Sequence, residues 1–290
     1  MTESHPVEPS PANPLFTSGS KFGRLASTLG PLLPLVLVIV LFAAAESFTQ
    51  GRSTFFSLAS AWQISIQTAV VAIGALGMTV AIIAGGIDLS VGNALALSAA
   101  VLAWCLRAEV PVPLSISAGV FTGALAGCLN GVLISTLRIA PFIVTLGMMS
   151  VYLGLAKIVT DETTLRPTPG QVPDWFRALF SRGNDWLILA PGAWMALGLA
   201  ILLAVVLRRT VFGRHVFALG SNESTARLCG INIPRLKIAV YTLSGLFIGL
   251  AAACQVARFP QVSPTSGIGY ELRIIAAVVV GGASLNGGRG

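Results

Sequence analysis

Charged side chains are scarce in this chain. They make up 10% of its 290 residues, against 54% hydrophobic. An average soluble domain carries about 25% charged residues, and so few charges cannot cover so much apolar surface in water. Together with a mean hydropathy of +0.83, this excludes a disordered chain, a nucleic-acid-binding domain and an ordinary cytosolic enzyme. Histidine is nearly absent: His5 and His215 are too few and too scattered to build a metal cluster. The four cysteines, Cys105, Cys128, Cys229 and Cys254, contain no CxxC pair. That argues against a disulfide framework or a zinc site, and the three in apolar runs read as buried free thiols. Lysine follows only Ser20, Ala156 and Leu236, so no phosphate-cradling GxxxxGK[ST] loop can form. GxSxG and HExxH are missing too. No catalytic constellation is visible, and any use of ATP requires nucleotide and Mg to be bound by another chain.

What is present is a series of apolar runs free of Asp, Glu, Lys and Arg: 25–45, 53–87, 89–106, 110–137, 139–156, 186–207, 238–257 and 274–288. A membrane helix needs roughly 20 apolar residues. The first seven runs are each long enough for one span, and the eighth is shorter and ends in glycines. The second run is expected to open with an interfacial lead-in at 53–61. The fold class is therefore all-α, a polytopic transmembrane helix bundle with about eight segments. Residues 1–28 read as a flexible tail rich in proline, and 29–290 as the membrane domain. Ala43, Ala44 and Ala45 also resemble a signal-peptide cleavage site, a rival reading for the first run alone.

The net charge of +7 follows from basic residues at the ends of apolar runs, the usual bias of inward-facing loops, and needs no polyanionic partner. With the N-terminus inside, the inner loops hold Lys21 and Arg24, Asp88, Arg138, and then the segment 208–237. That segment sets Arg208, Arg209, Arg214, Arg227, Arg235 and Lys237 against one acid, Glu223. The outer segment 157–185 has balanced charges, suited to pairing with an external partner or simply to solvation. Trp175, Trp186 and Trp194 at the outer end of the sixth run read as headgroup anchors.

Two segments repeat. AIIAGGIDLSVG (81–92) and AVVVGGASLNGG (277–288) share Ala81/Ala277, Gly85/Gly281, Gly86/Gly282, Leu89/Leu285 and Gly92/Gly288 at an offset of 196. Chance among abundant small residues is one explanation, and an internal duplication, as many transporters show, is the other. Paired glycines free backbone groups that hydrocarbon cannot satisfy, so they must be buried in protein or line a wet cavity. Gly85, Gly86, Gly281 and Gly282 are thus candidates for a translocation path. Asp88 either joins that path as an intramembrane acid or caps the following helix. The first copy runs on through two long apolar stretches, whereas the second ends at Gly290, so a full duplication leads one to expect more chain. Gly74, Ala75 and Gly77, and Gly123 and Gly127, suit close helix crossings. In 208–237, Ser221 or Asn222 can cap a short helix with Glu223 in its first turn, Gly230 suits the position after it, and Pro234 ends it. A solvated basic loop is the alternative.

GMTVAIIAGGIDLSVG (77–92), RIAPFIVTLGMM (138–149), FGRHVFALGSNESTARLCGI (212–231) and GYELRIIAAVVVGGASLNGGRG (269–290) resemble the permease subunits of bacterial ABC sugar importers, in the ribose/xylose/arabinose-type branch. The resemblance covers nearly the whole chain from about residue 30. It implies a homodimer or permease heterodimer in the bacterial plasma (inner) membrane, two cytoplasmic ATPase subunits that bind ATP and Mg, and a periplasmic or lipid-anchored sugar-binding protein. It also implies about ten membrane helices. On this resemblance Gly220, Ser221, Asn222, Glu223, Ala226 and Arg227 are the segment that meets the ATPase. The rival class is a secondary transporter or channel without an ATPase, which would need coupling acids inside the membrane.

Overall fold

The computed structural model describes residues 32–50, 57–167, 170–178 and 189–290. The tail 1–28 and Trp186 lie outside them. The chain divides into two compact units, Met1–Ser57 and Leu58–Gly290. In the first, helix α1 (Leu32–Gln50) passes unbroken through Ala43–Ala45. The second holds α2 (Leu58–Ile83), α3 (Val91–Arg107), α4 (Val112–Leu137), α5 (Pro141–Thr160), α6 (Asp174–Ala178), α7 (Pro191–Arg209), α8 (Val211–Ser221), α9 (Glu223–Leu228), α10 (Ile233–Arg258) and α11 (Tyr270–Val280). Among the described residues the only pairing of extended chain is one antiparallel bridge, Leu165 with Val262, which ties the segment after α5 to the one after α10.

Among the described residues, five helices, α2, α4, α5, α7 and α10, are long and apolar enough to cross a membrane. Residues 58–61, expected as an interfacial lead-in, are the first turn of α2. The third run forms α3, only 17 residues long and so about 25 Å, short of a 30 Å hydrocarbon core. It is buried on nearly every side, as expected of a helix apolar all round that packs inside a bundle. The eighth run supplies 274–280 of α11, a helix of only 11 residues.

α10 is the central element, against α2, α3 and α4. Its contact with α4 is backbone on backbone. Gly119, Gly123, Gly127 and Gly131 fall at every fourth position of α4, which places them on one face. A Cβ on Gly123 would stand 2.5 Å from the Gly245 carbonyl oxygen and 2.6 Å from the Gly249 nitrogen of α10. On Gly127 it would overlap the carbonyl oxygen of Tyr241. In α2, Gly77 lies against Ser244 and Phe247 of α10, and Gly74 against Ile274 of α11. Hydrocarbon gives helices no hydrophobic reason to associate, so close contact through small residues holds them together.

The segment 208–237 is mostly helical rather than an open loop. α7 runs into it as far as Arg209, and Thr210 Oγ1 accepts the Gly213 amide to cap α8 (3.3 Å). Asn222 Oδ1 caps α9 by accepting the Thr225 amide (2.9 Å). Asn232 does the same for α10 at the Arg235 amide (3.2 Å), and Pro234 sits in the first turn of α10, where its missing N–H costs nothing.

Candidate translocation and coupling site

At the end of α2 the Gly85 amide donates to the Ile82 carbonyl and the Gly86 amide to the Ala81 carbonyl, both at 2.9 Å, with Gly85 at φ +82°. This is a Schellman stop, and the left-handed residue is glycine because a side chain there is strained. The chain then turns inward. Asp88 is 3% exposed. Its Oδ1 accepts the Ser90 amide (2.9 Å) and the Ser90 hydroxyl (2.6 Å), and its Oδ2 accepts one N–H of Asn130 (3.1 Å). The other N–H of Asn130 reaches Ser90 Oγ at 2.8 Å. The Tyr152 hydroxyl of α5 lies 2.9 Å from Asn130 Oδ1 and 2.7 Å from the Ala126 carbonyl. Thr145, also on α5, accepts the Leu89 amide at 3.1 Å.

Asp88 sits ahead of the N-terminus of α3, where a carboxylate is favoured, but its bonds go to Ser90, the residue before the helix, and not to an amide within it. It is buried against Ser90 and against Asn130 of α4, and Asn130 in turn meets Tyr152 of α5. The sequence contained no sign of those partners: Asn130 and Tyr152 read only as parts of apolar runs. One neighbour is unmatched. The Tyr241 hydroxyl is buried without a hydrogen-bond partner, and a Cβ on Gly86 would collide with it.

The second break repeats the stop with a one-residue slip. Gly282 donates to the Val279 carbonyl (3.0 Å) and Ala283 to the Val278 carbonyl (3.2 Å), with Gly282 at φ +100°. The left-handed glycine is therefore the second of the pair, not Gly281, which the sequence alignment set opposite Gly85. Three residues on from Gly281, Ser284 stands where Asp88 stands in the first copy, and its hydroxyl oxygen accepts the Asn286 amide (3.3 Å). Gly281 and Gly282 are both exposed.

The two breaks meet a third segment at Gly220, the penultimate residue of α8. The Gly288 amide donates to the Ile83 carbonyl (2.9 Å). A Cβ on Gly220 would overlap that same carbonyl and stand 2.6 Å from the Gly288 nitrogen. One on Gly287 would lie 2.8 Å from the Gly220 oxygen and 2.9 Å from the Gly85 Cα. Residues expected in separate roles, Gly85 in a path and Gly220 in a docking loop, are thus neighbours. Beyond the junction, Ser221 lies beside Gly288 and Ala226 is buried. Glu223 binds Arg227 (3.0 Å) and Lys237 of α10 (2.8 Å). The hydrogen bond from Lys237 is the main reason the Glu223 carboxyl is held below its ordinary pKa, with Arg227 adding to it. Leu228 at the end of α9 is 88% exposed. The described residues contain no cluster of three or more His, Cys, Asp or Glu suited to a metal ion.

Membrane-length helices crossing through glycine, and glycine-pair breaks after α2 and the shorter α11 that meet the helical segment 208–237, fit a polytopic transport component. The chain belongs to the family described as branched-chain amino acid transport system / permease component, whose model matches residues 60–288. It is 39% identical to the ribose import permease protein RbsC of Escherichia coli (strain K12) over 88% of this chain and 78% of that one. It is 37% identical to the fructose import permease protein FrcC of Rhizobium meliloti, over 90% and 72%. To the L-arabinose transport system permease protein AraH of Escherichia coli (strain K12) it is 33% identical, over 94% and 80%. No solved structure matches it. The chain is a multi-pass membrane permease subunit, a transport component.

Proposed function

We propose that this permease imports a monosaccharide, ribose or a related sugar, across the bacterial plasma membrane by alternating access driven by separate ATPase subunits. The relatives named for ribose, fructose and L-arabinose import support the sugar class. Two permease chains, two cytoplasmic ATPases carrying ATP and Mg, and an external sugar-binding protein complete the assembly, and the N-terminus and segment 208–237 face the cytoplasm. The mechanism requires a bistable bundle whose equilibrium both sides bias. The observation that carries the mechanism is the junction at Gly220. The ATPase docks on α9, with Gly220, Ser221, Asn222, Glu223, Ala226 and Arg227 forming the coupling segment. α8 then passes the movement to Ile83 and Gly85 at one break and to Gly287 and Gly288 at the other.

Asp88 speaks against coupling to an ion gradient. It is the one buried acid among the described residues, and three donors already engage it. Reconstitution in vesicles tests the proposal: ribose uptake should require ATP and the ATPase. Gly220→Ala should reduce uptake at least tenfold while ATPase binding persists, because the added methyl overlaps the Ile83 carbonyl. Uptake driven by an ion gradient without an ATPase would overturn the proposal.

A further inference from the structure

We infer that the cleft between the α4–α5 turn and the α9–α10 corner is a binding site for the headgroup of an anionic phospholipid. The cleft has a volume of about 550 Å³. Arg138 enters it from the turn, Arg227 from α9 and Lys237 from α10, with Glu223 between the last two. Glu223 binds both of those cations, which holds them side by side and leaves the cleft with an excess of two positive charges. Arg138 has no carboxylate within ion-pair distance among the described residues. The charge and size of the cleft suit a phosphodiester, which carries a negative charge and strong acceptor oxygens.

The remaining walls select a lipid rather than a soluble phosphate. Ile134 and Ile139 line the cleft beside Arg138. Leu137, Ile139 and Phe142 around the turn are 55%, 41% and 49% exposed. These residues end α4 and begin α5, two helices of membrane length, so the turn lies where hydrocarbon gives way to headgroups. A ligand that satisfies both halves is anionic at one end and apolar at the other. Basic pockets between membrane helices on the cytoplasmic side bind anionic headgroups in this way. The inference rests on the proposed inward orientation of segment 208–237.

The test places the purified chain in nanodiscs of equal parts phosphatidylglycerol and phosphatidylcholine and counts retained lipids by native mass spectrometry. Phosphatidylglycerol should be retained preferentially. Arg138→Gln should cut the preference about fivefold, the worth of one cation near a membrane surface. Arg138→Lys should restore most of it and shows that the site tolerates substitution. Arg208→Gln, which removes a cation outside the cleft, should leave it unchanged. The inference is overturned if Arg208→Gln lowers retention as much as Arg138→Gln, since the attraction is then diffuse. It fails too if inorganic phosphate or the ATPase subunit displaces the bound lipid, because the cleft then belongs to a soluble anion or to the protein partner. ATP-driven uptake in phosphatidylcholine vesicles reads the importer assignment separately. Uptake without lipid preference overturns only the lipid site, and lipid preference without uptake overturns only the importer assignment.

Discussion

At Gly85 the chain leaves α2 and turns inward, where Ser90, and Asn130 of α4, donate to Asp88. At Gly282 it leaves α11 through the same pattern of backbone hydrogen bonds and turns onto an exposed surface. Asp88 in the first break engages Ser90 and Asn130, and through Asn130 it connects to Tyr152. The side chain of Ser284 in the second accepts from Asn286, two residues away, while its backbone bonds Gly287 and Arg289 of the same turn. α2 reaches its break after 26 unbroken residues, α11 after 11. A duplicated backbone stop can therefore serve as a rigid anchor in one place and as a local turn in another. What decides is whether a buried charge follows the glycines and whether partners surround it.

The largest expected effect separates the two residues that follow the breaks. Asp88→Ala leaves the Ser90 amide, the Ser90 hydroxyl and one N–H of Asn130 without their acceptor. Each buried donor stranded in this way costs about 1–3 kcal/mol. The loss should exceed about 3 kcal/mol, read as a lower thermal unfolding midpoint in detergent, whereas Ser284→Ala should cost under about 1 kcal/mol. Equal losses would mean that the two breaks are energetically alike.

Next comes the glycine pair itself. Gly86→Ala drives a methyl into the buried Tyr241 hydroxyl and should destabilise by about 1–3 kcal/mol, the usual range for overpacking. Gly281→Ala adds a methyl at an ordinary helical φ of −68°. It should be neutral or slightly stabilising, because it restricts the unfolded chain. The two glycines of the second break then part company: Gly282→Ala should cost about 1 kcal/mol at its left-handed φ.

The smallest effect lies at the exposed end of the coupling segment. The folded pKa of Glu223 is depressed, so its contribution is fully present above the ordinary glutamate value of about 4.3. It is lost as pH falls through the lower folded value. The difference in unfolding midpoint between the native chain and Glu223→Gln should be constant from neutral pH down to that window and vanish below it. A difference that vanishes well above pH 4.3 would show that the ion pairs with Arg227 and Lys237 do not hold α9 to α10.

Much of the local architecture was legible in advance. The glycine pairs stopped their helices, Asn222 and Gly230 bracketed α9 as cap and stop, and Gly74, Gly77, Gly123 and Gly127 stood at helix crossings. These features depend on backbone conformation and on periodicity within a few residues. α3 was harder to read, since a wholly apolar run looks the same whether lipid or protein surrounds it. α8 was missed because its residues, VFGRHVFALGS, were read only as part of the basic segment 208–237, although the arginines of that segment lie mostly outside it. The four-glycine stripe of α4 was in plain sight, but not that Gly123, Gly127 and Gly131 would meet α10 while Gly119 meets Ser98 and Leu102 of α3.

Composition and patterning by themselves determined that this chain lives in a membrane, where its helices break, and which segment carries the basic surface. They do so because transfer from water to hydrocarbon, capping and left-handed turns are local costs, set by each residue and its neighbours. Only the tertiary structure decided that Asp88 answers to Asn130, that Gly220 touches both breaks, and that Arg138 shares a cleft with Lys237. Those pairings depend on which helix faces approach closely enough for backbone to meet backbone, a property of the packed bundle that no single stretch of sequence contains.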